Sequence, residues 1–216
     1  MTNRIVLWGL TGIGGLLTAY LVWLIFAGGS GAGEATAQEA EQEVVSATGE
    51  PGPYVVLTVD GQATGEIVID LNVEGAPLHA ERILKLVEDG AYDNVVFHRV
   101  IDGFMAQTGD VEHGVEGGDM RLAGTGGSDL PDLPAEFTAA NFDRGVVGMA
   151  RSNSPDSANS QFFIMFEPAP HLNNQYTVVG AVTEGMDVVD AIKLGTGQNG
   201  AVIGAPDKIE TATIRE

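Results

Sequence analysis

Few of the residue patterns that ordinarily carry enzyme chemistry occur in this chain. There is no GxSxG elbow, Walker loop or HExxH pair, which sets aside hydrolase-elbow acyl transfer, P-loop phosphoryl transfer and zincin-type hydrolysis. The four histidines, His79, His98, His113 and His171, are scattered rather than set at metal-ligating spacing, and each reads as a surface or core residue. With no cysteine, the chain has no thiol nucleophile, disulfide or thiolate metal site. Gly114 to Gly127 is glycine-rich, but it follows no parallel-sheet strand and introduces no helix, so it reads as a loop and not a phosphate cradle. Asp129, Asp132 and Glu136 just after it lack a calcium-loop pattern and suit a solvated acidic loop. Neither a metal nor an organic cofactor is expected.

The informative stretch is Phe97-His98-Arg99-Val100-Ile101-Asp102-Gly103-Phe104-Met105-Ala106-Gln107-Thr108-Gly109-Asp110, followed further along by Ser160-Gln161-Phe162-Phe163-Ile164. Together these segments resemble the signatures of the cyclophilins, and the resemblance runs from about Tyr54 to Glu216. It implies a mainly β fold, a closed eight-stranded antiparallel barrel capped by two α-helices, with the active groove on its outer surface. It also implies peptidyl-prolyl cis/trans isomerase activity on proline-containing polypeptides. Matched residue by residue, the family's catalytic arginine falls on Arg99 and the glutamine beside it on Gln107. The proline pocket falls on Phe104, Met105, Phe163 and Leu172, and the contacts to the substrate strand on Ala150 and Arg151 within Met149-Ala150-Arg151-Ser152. Two positions depart from the family's familiar pattern: His171 stands where a groove tryptophan is usual, and Tyr176 where a histidine is common. The first departure argues against tight cyclosporin binding while leaving the pocket in place.

These residue types suit the reaction. Rotation about an X-Pro bond must break amide resonance against a barrier of about 20 kcal/mol, with uncatalysed times of about 10 to 100 s. No bond is made or cut, so the catalyst must grip the ring and favour the twisted state, in which the nitrogen is pyramidal and more basic. Aromatic walls and an adaptable methionine can seat proline. A permanently charged guanidinium can donate to the proline carbonyl and the developing lone pair. Lowering the barrier by about 7 kcal/mol would accelerate rotation roughly 10⁵-fold. Proton transfer is not needed, so His98 is expected to pack and hydrogen-bond locally, and turnover to be flat in pH between about 6 and 8. The alternative reading is a non-catalytic peptide-binding scaffold or chaperone module at the membrane.

The elements that must position these residues are legible as well. Residues 54 to 60 and 65 to 72 read as a hairpin, with Ile67, Ile69 and Leu71 at the period of two expected of a half-buried strand. Asp60-Gly61 and Thr64-Gly65 supply its turn. Pro77 opens a helix with Ala80, Ile83, Leu84 and Val87 on one face, closed by Asp89-Gly90. Short strands are expected at Val95 to Ile101, Gly103 to Gln107, Val146 to Ala150, Gln161 to Phe166 and Tyr176 to Val182. A second helix near Asp187 to Leu194 and a last strand near Lys208 to Ile214 complete the domain.

Ahead of this domain, assigned to 53–216, residues 5 to 27 carry no charge and as a helix would reach roughly 34 Å, enough to span a bilayer. Arg4 precedes that stretch and the next charge is Glu34, so the positive-inside rule puts everything after it outside the cytoplasm. Residues 1–28 are accordingly expected to be a membrane anchor, or a signal peptide if cleaved after Ala32, and 29–52 a flexible acidic linker. The expected location is a single-pass protein of the cell membrane with its catalytic domain in the periplasm. A formal net charge of -20 repels phosphate backbones, so nucleic acid is not an expected partner.

Overall fold

A computed structural model describes residues 52–215 of the chain. The expected anchor and most of the linker lie outside the described residues. Among the described residues, no helix is long and apolar enough to cross a membrane.

The hairpin forms as expected, but its second strand is not half-buried: Ile67 to Leu71 are all buried, Val68 and Asp70 included. Strand β1 (Tyr54–Asp60) pairs antiparallel with β2 (Gly65–Leu71). Helix α1 (Pro77–Glu88) follows, with Pro77 in its first turn, where the missing N–H costs nothing. No side chain caps it locally; Glu136, far along the chain, accepts from the backbone N–H groups of Leu78 and His79 instead. Its buried residues are His79, Ala80, Arg82, Ile83, Leu86 and Val87, so the inward face is wider than predicted and Leu84 is only half-buried.

The next strands are β3 (Val95–Val96), β4 (Arg99–Ile101), β5 (Met105–Thr108), β6 (Val146–Met149), β7 (Phe162–Met165), β8 (Val178–Glu184) and β9 (Lys208–Arg215). They form one curled half-barrel sheet in the order β3-β9-β1-β2-β8-β6-β7-β5-β4, with every pairing antiparallel. Nine strands thus replace the expected eight. The reason is local: the single strand predicted over Val95 to Ile101 breaks at Phe97 and His98. There the Phe97 N–H donates to the Asp207 carbonyl and the His98 carbonyl accepts from Val202. The end strands of the sheet, β3 and β4, are therefore consecutive in the chain.

Helix α2 (Met186–Ala191) ends earlier than predicted. The buried Asp207 carboxylate captures the Lys193 N–H, and the Gly195 N–H turns to the Val100 carbonyl, so residues 192 to 195 are drawn out of the helix.

Strand alternation then sets up two apolar layers. Ala106, Val147, Met149, Phe162, Ile164 and Val179 point into the main core with α1 and β1. Their neighbours Met105, Val146, Phe163, Met165 and Val178 point to the other face, where they join Phe142, Ala169 and Leu172 in a second cluster. Strands buried on both faces read as continuous apolar runs, which is why β6 and β7 showed no alternation in sequence.

Candidate active site

The second apolar layer is the floor of a surface depression of about 530 Å³ lined by Arg99, Phe104, Met105, Gln107, Ala150, Arg151, Phe163, Leu172 and Tyr176. Every residue expected at the site lines it except His171. That ring stacks on Phe104 instead, centroids 5.8 Å apart and planes 25° from parallel, and so buttresses one wall. The aromatics of the floor brace one another. Phe163 stacks on Phe142 at 5.8 Å and meets Tyr176 edge-on at 5.6 Å. Gly148 makes this packing possible, since a Cβ there would fall 2.5 Å from Phe163 Cζ and 2.6 Å from Phe142 Cε1.

Arg99 and Gln107 are register partners across β4 and β5. Arg99 Nη1 donates to Gln107 Oε1 at 3.1 Å and lies 3.8 Å from Met105 Sδ, while Nε donates to the Asn199 carbonyl at 2.9 Å. No carboxylate is among its partners in the described residues, so Arg99 is not a surface ion pair. Partial burial draws its pKa below the usual arginine value, with the nearby Tyr176 opposing. A guanidinium remains charged through any such shift near neutral pH.

Gln107 is itself held. Its Nε2 donates to Gln161 Oε1 at 2.9 Å, and Gln161 Nε2 donates to the Gly126 carbonyl at 2.8 Å. The two amides form a one-way relay, each acceptor facing Arg99 and each donor facing away. Gln161 lies inside a segment quoted above, but nothing in its spacing marked it as a support for Gln107. Asn199 carried no signal beyond its Asn-Gly turn chemistry.

The far end of the relay is anchored by Asp110, whose buried carboxylate accepts from Glu112, His113, Gly124 and Gly126. Burial alone would raise its pKa, but the N–H groups of His113, Gly126, Gly124 and Glu112 outweigh it and hold the carboxyl below 3.8. The glycine-rich segment is therefore a loop folded around one carboxylate. Of the acidic residues behind it, Asp132 accepts from Asn159 and Glu136 binds His79 Nδ1 at 2.6 Å.

On the opposite wall, the Arg151 guanidinium lies 4.4 Å above the Tyr176 ring and donates through Nε and Nη2 to the Gln175 carbonyl. A second depression of about 900 Å³ shares Gln107, Ala150 and Arg151 with the first and is otherwise walled by polar groups including Thr125, Ser128, Asp132, Ser152 and Asn159. His98 is buried, as expected, but neither of its ring nitrogens makes a hydrogen bond of good geometry among the described residues, the Val96 backbone offering only a weak interaction. Burial pushes its pKa below 6.5, against the opposing pull of Asp110.

A cation held by neutral partners beside an apolar seat can bind a cyclic imino acid and donate to its carbonyl or nitrogen. Among the described residues no group of three or more His, Cys, Asp or Glu side chains is placed to hold a metal ion. Comparison with known proteins points to one family. The family model described as "Cyclophilin type peptidyl-prolyl cis-trans isomerase/CLD" matches residues 54–214. A probable peptidyl-prolyl cis-trans isomerase of Brucella suis is 57% identical over 152 residues, covering 69% of this chain and 78% of that protein. Peptidyl-prolyl cis-trans isomerase 10 of Caenorhabditis elegans is 39% identical over 132 residues, covering 60% and 77%. Among solved structures, a cyclophilin from Hirschia baltica matches with a TM-score of 0.61 at 25% identity, over 76% of this chain and 74% of that one. A Cryptosporidium parvum cyclophilin-type isomerase, crystallised in the presence of the dipeptide Ala-Pro, matches with a TM-score of 0.64 at 24% identity, over 76% and 99%.

Proposed function

The chain belongs to the cyclophilin-type peptidyl-prolyl cis-trans isomerases, and from that premise we propose that Arg99 is the electrostatic centre of catalysis and the Phe104, Met105, Phe163 and Leu172 surface the seat of the proline ring. The observation that carries this reading is the set of contacts around Arg99. Nε and Nη1 are occupied by fixed neutral acceptors, while Nη2 has no partner among the described residues and the whole group lines the apolar depression. A donor fixed before substrate arrives stabilises charge that develops only in the twisted state, which raises kcat and not merely affinity. The client chain crosses both depressions, with Ala150 and Arg151 between them.

The test is exchange NMR on an Ala-Pro peptide, using the full chain and its Arg99→Ala variant without a coupling protease. Arg99→Ala is expected to lose about 10² to 10³ in kcat with peptide binding retained. A wild-type chain that binds the peptide yet leaves exchange at its spontaneous rate would instead favour a peptide-binding scaffold.

The proposal extends to location. The uncharged stretch 5 to 27 following Arg4 supports a membrane tether holding the domain on the periplasmic side, where exported chains meet it while unfolded. Protease shaving of spheroplasts should remove the domain, and the intact mass should retain the first 32 residues. A mass lacking them would replace the tether with a cleaved signal peptide.

A further inference from the structure

The turn Gly197 to Ala201 lies outside the family signatures read above, yet it supplies one of the two oxygen acceptors that hold Arg99. We propose that Asn199 is a positioning residue for isomerisation: its main-chain carbonyl, aimed at β4 by a left-handed backbone, fixes the plane of the Arg99 guanidinium before substrate binds. The inference rests on the assignment of Arg99 as the catalytic donor.

Asn199 has φ 57° and ψ 27°, and Gly200 follows at φ 80°. Two successive left-handed residues reverse the chain, and asparagine and glycine tolerate that conformation better than other types. At Gly200 a Cβ would fall 2.3 Å from Ile101 Cγ1, so the turn is also seated closely against β4. Backbone ties on both sides fix it there: Gly195 donates to Val100, Val202 donates to His98, and Ala201 bridges Arg99 itself. The Asn199 carbonyl therefore has a defined place relative to the strand that carries Arg99, and Nε reaches it at 2.9 Å.

An arginine stem has several free torsions, and a single anchor would leave its terminal plane free to swing. Gln107 holds Nη1 from one side and Asn199 holds Nε from the other. Two anchors on different nitrogens determine the plane, which leaves Nη2 as the donor presented to the proline. Misplacing that donor weakens a contact made in the transition state more than the seating of the ring, so the effect falls on kcat.

The experiment uses the full chain and peptide exchange NMR, with Asn199→Val and Asn199→Gly made both alone and with Arg99→Ala. Valine disfavours the left-handed backbone and should lower kcat about tenfold with KM within about twofold. Glycine keeps the backbone and the carbonyl and should stay within about twofold of wild type. With Arg99→Ala, Asn199→Val should cost nothing further, because the group it positions is gone. The Arg99 Nε–H resonance should exchange with water faster in Asn199→Val and not in Asn199→Gly, a readout that general loosening of the loop would not produce selectively. If Asn199→Val retains kcat, or loses the same factor with and without Arg99, the turn is structural only and the inference falls while Arg99 stands. If Arg99→Ala itself keeps the wild-type rate, the catalytic assignment falls and this inference with it.

Discussion

Arg99 and Gln107 stand directly opposite one another in the antiparallel pair β4 and β5, and the 3.1 Å bond from Nη1 to Oε1 spans that pair. Because Gln107 is held in turn by Gln161, the acceptor cannot rotate to offer its NH2 group without breaking a second bond. Gln107→Ala should therefore lower kcat about tenfold, roughly 1.4 kcal/mol, with peptide affinity nearly unchanged. Gln107→Glu keeps an acceptor for Arg99 but no longer donates to Gln161 Oε1. Exchange NMR should place it between wild type and alanine; a Gln107→Ala enzyme with wild-type kcat would show that the glutamine does not orient the arginine.

The floor of the depression gives a second prediction. A methyl at position 148 would overlap both Phe163 and Phe142, and neither ring has room to retreat, since Phe163 is also braced by Tyr176. Gly148→Ala should destabilise the domain by about 1 to 3 kcal/mol and tilt Phe163 into the seat, raising KM for an Ala-Pro peptide more than it lowers kcat. Thermal melts and peptide kinetics check both parts, and an unchanged KM would mean that the strain is absorbed by Phe142 on the far side.

The strands and the first helix were legible because each rests on local chemistry, whereas the residues that line the depression were reached through the family resemblance. Ile67, Ile69 and Leu71 alternate, Pro77 and Asp89-Gly90 bracket α1, and the segments around Arg99 and Gln161 carry the family resemblance. What was not legible depends on contacts between distant parts of the chain. The break at Phe97 and His98 is made by Asp207 and Val202, the early end of α2 by Asp207, and the cap of α1 by Glu136. The width of the α1 face was missed for a related reason. Arg82 is buried with the carbonyls of Pro131 and Asn159 as acceptors, and His79 with Glu136 on Nδ1 alone, its Nε2 having no partner among the described residues; no helical periodicity encodes those contacts. Asn199 reaches Arg99 from a hundred residues away, a distance across which a turn dipeptide carries no information.

The buried His98 gives the pH dependence. Its folded pKa lies below 6.5, chiefly because burial disfavours the cation. The neutral ring is therefore favoured by the fold, and this stability is fully present above about 6.5 and is lost as pH falls through the lower folded value. His98→Leu should flatten the acid-side decline of Tm between about pH 7 and 5 relative to wild type. The rate of isomerisation should stay flat between about pH 6 and 8 in both proteins, since Arg99 does not titrate there. A wild-type rate that follows a histidine titration would place an imidazole in the mechanism.

Asp110 links loop folding to the site, and its replacement by asparagine separates charge from shape. Oδ1 accepts from Glu112 and His113, and Oδ2 accepts from Gly124 and Gly126. An asparagine of the same size can satisfy one pair but turns its NH2 group toward the donors of the other, so two N–H groups lose their acceptor in either orientation. Charge-assisted bonds of this kind contribute about 1.5 to 3 kcal/mol each when gross losses are compared, and relaxation of the loop recovers part of that. Asp110→Asn should thus lower stability by about 2 to 3 kcal/mol, a fall in Tm of about 5 to 10 °C. If the Gly124 and Gly126 pair is the one released, the Gly126 carbonyl moves away from Gln161 Nε2 and the amide relay behind Arg99 slackens. In that case kcat falls severalfold while the proline seat, formed by a different layer of the sheet, keeps KM unchanged. Loss of stability with full kcat would show that the relay ends functionally at Gln161, and a Tm within about 1 °C of wild type would show that water replaces the carboxylate at little cost.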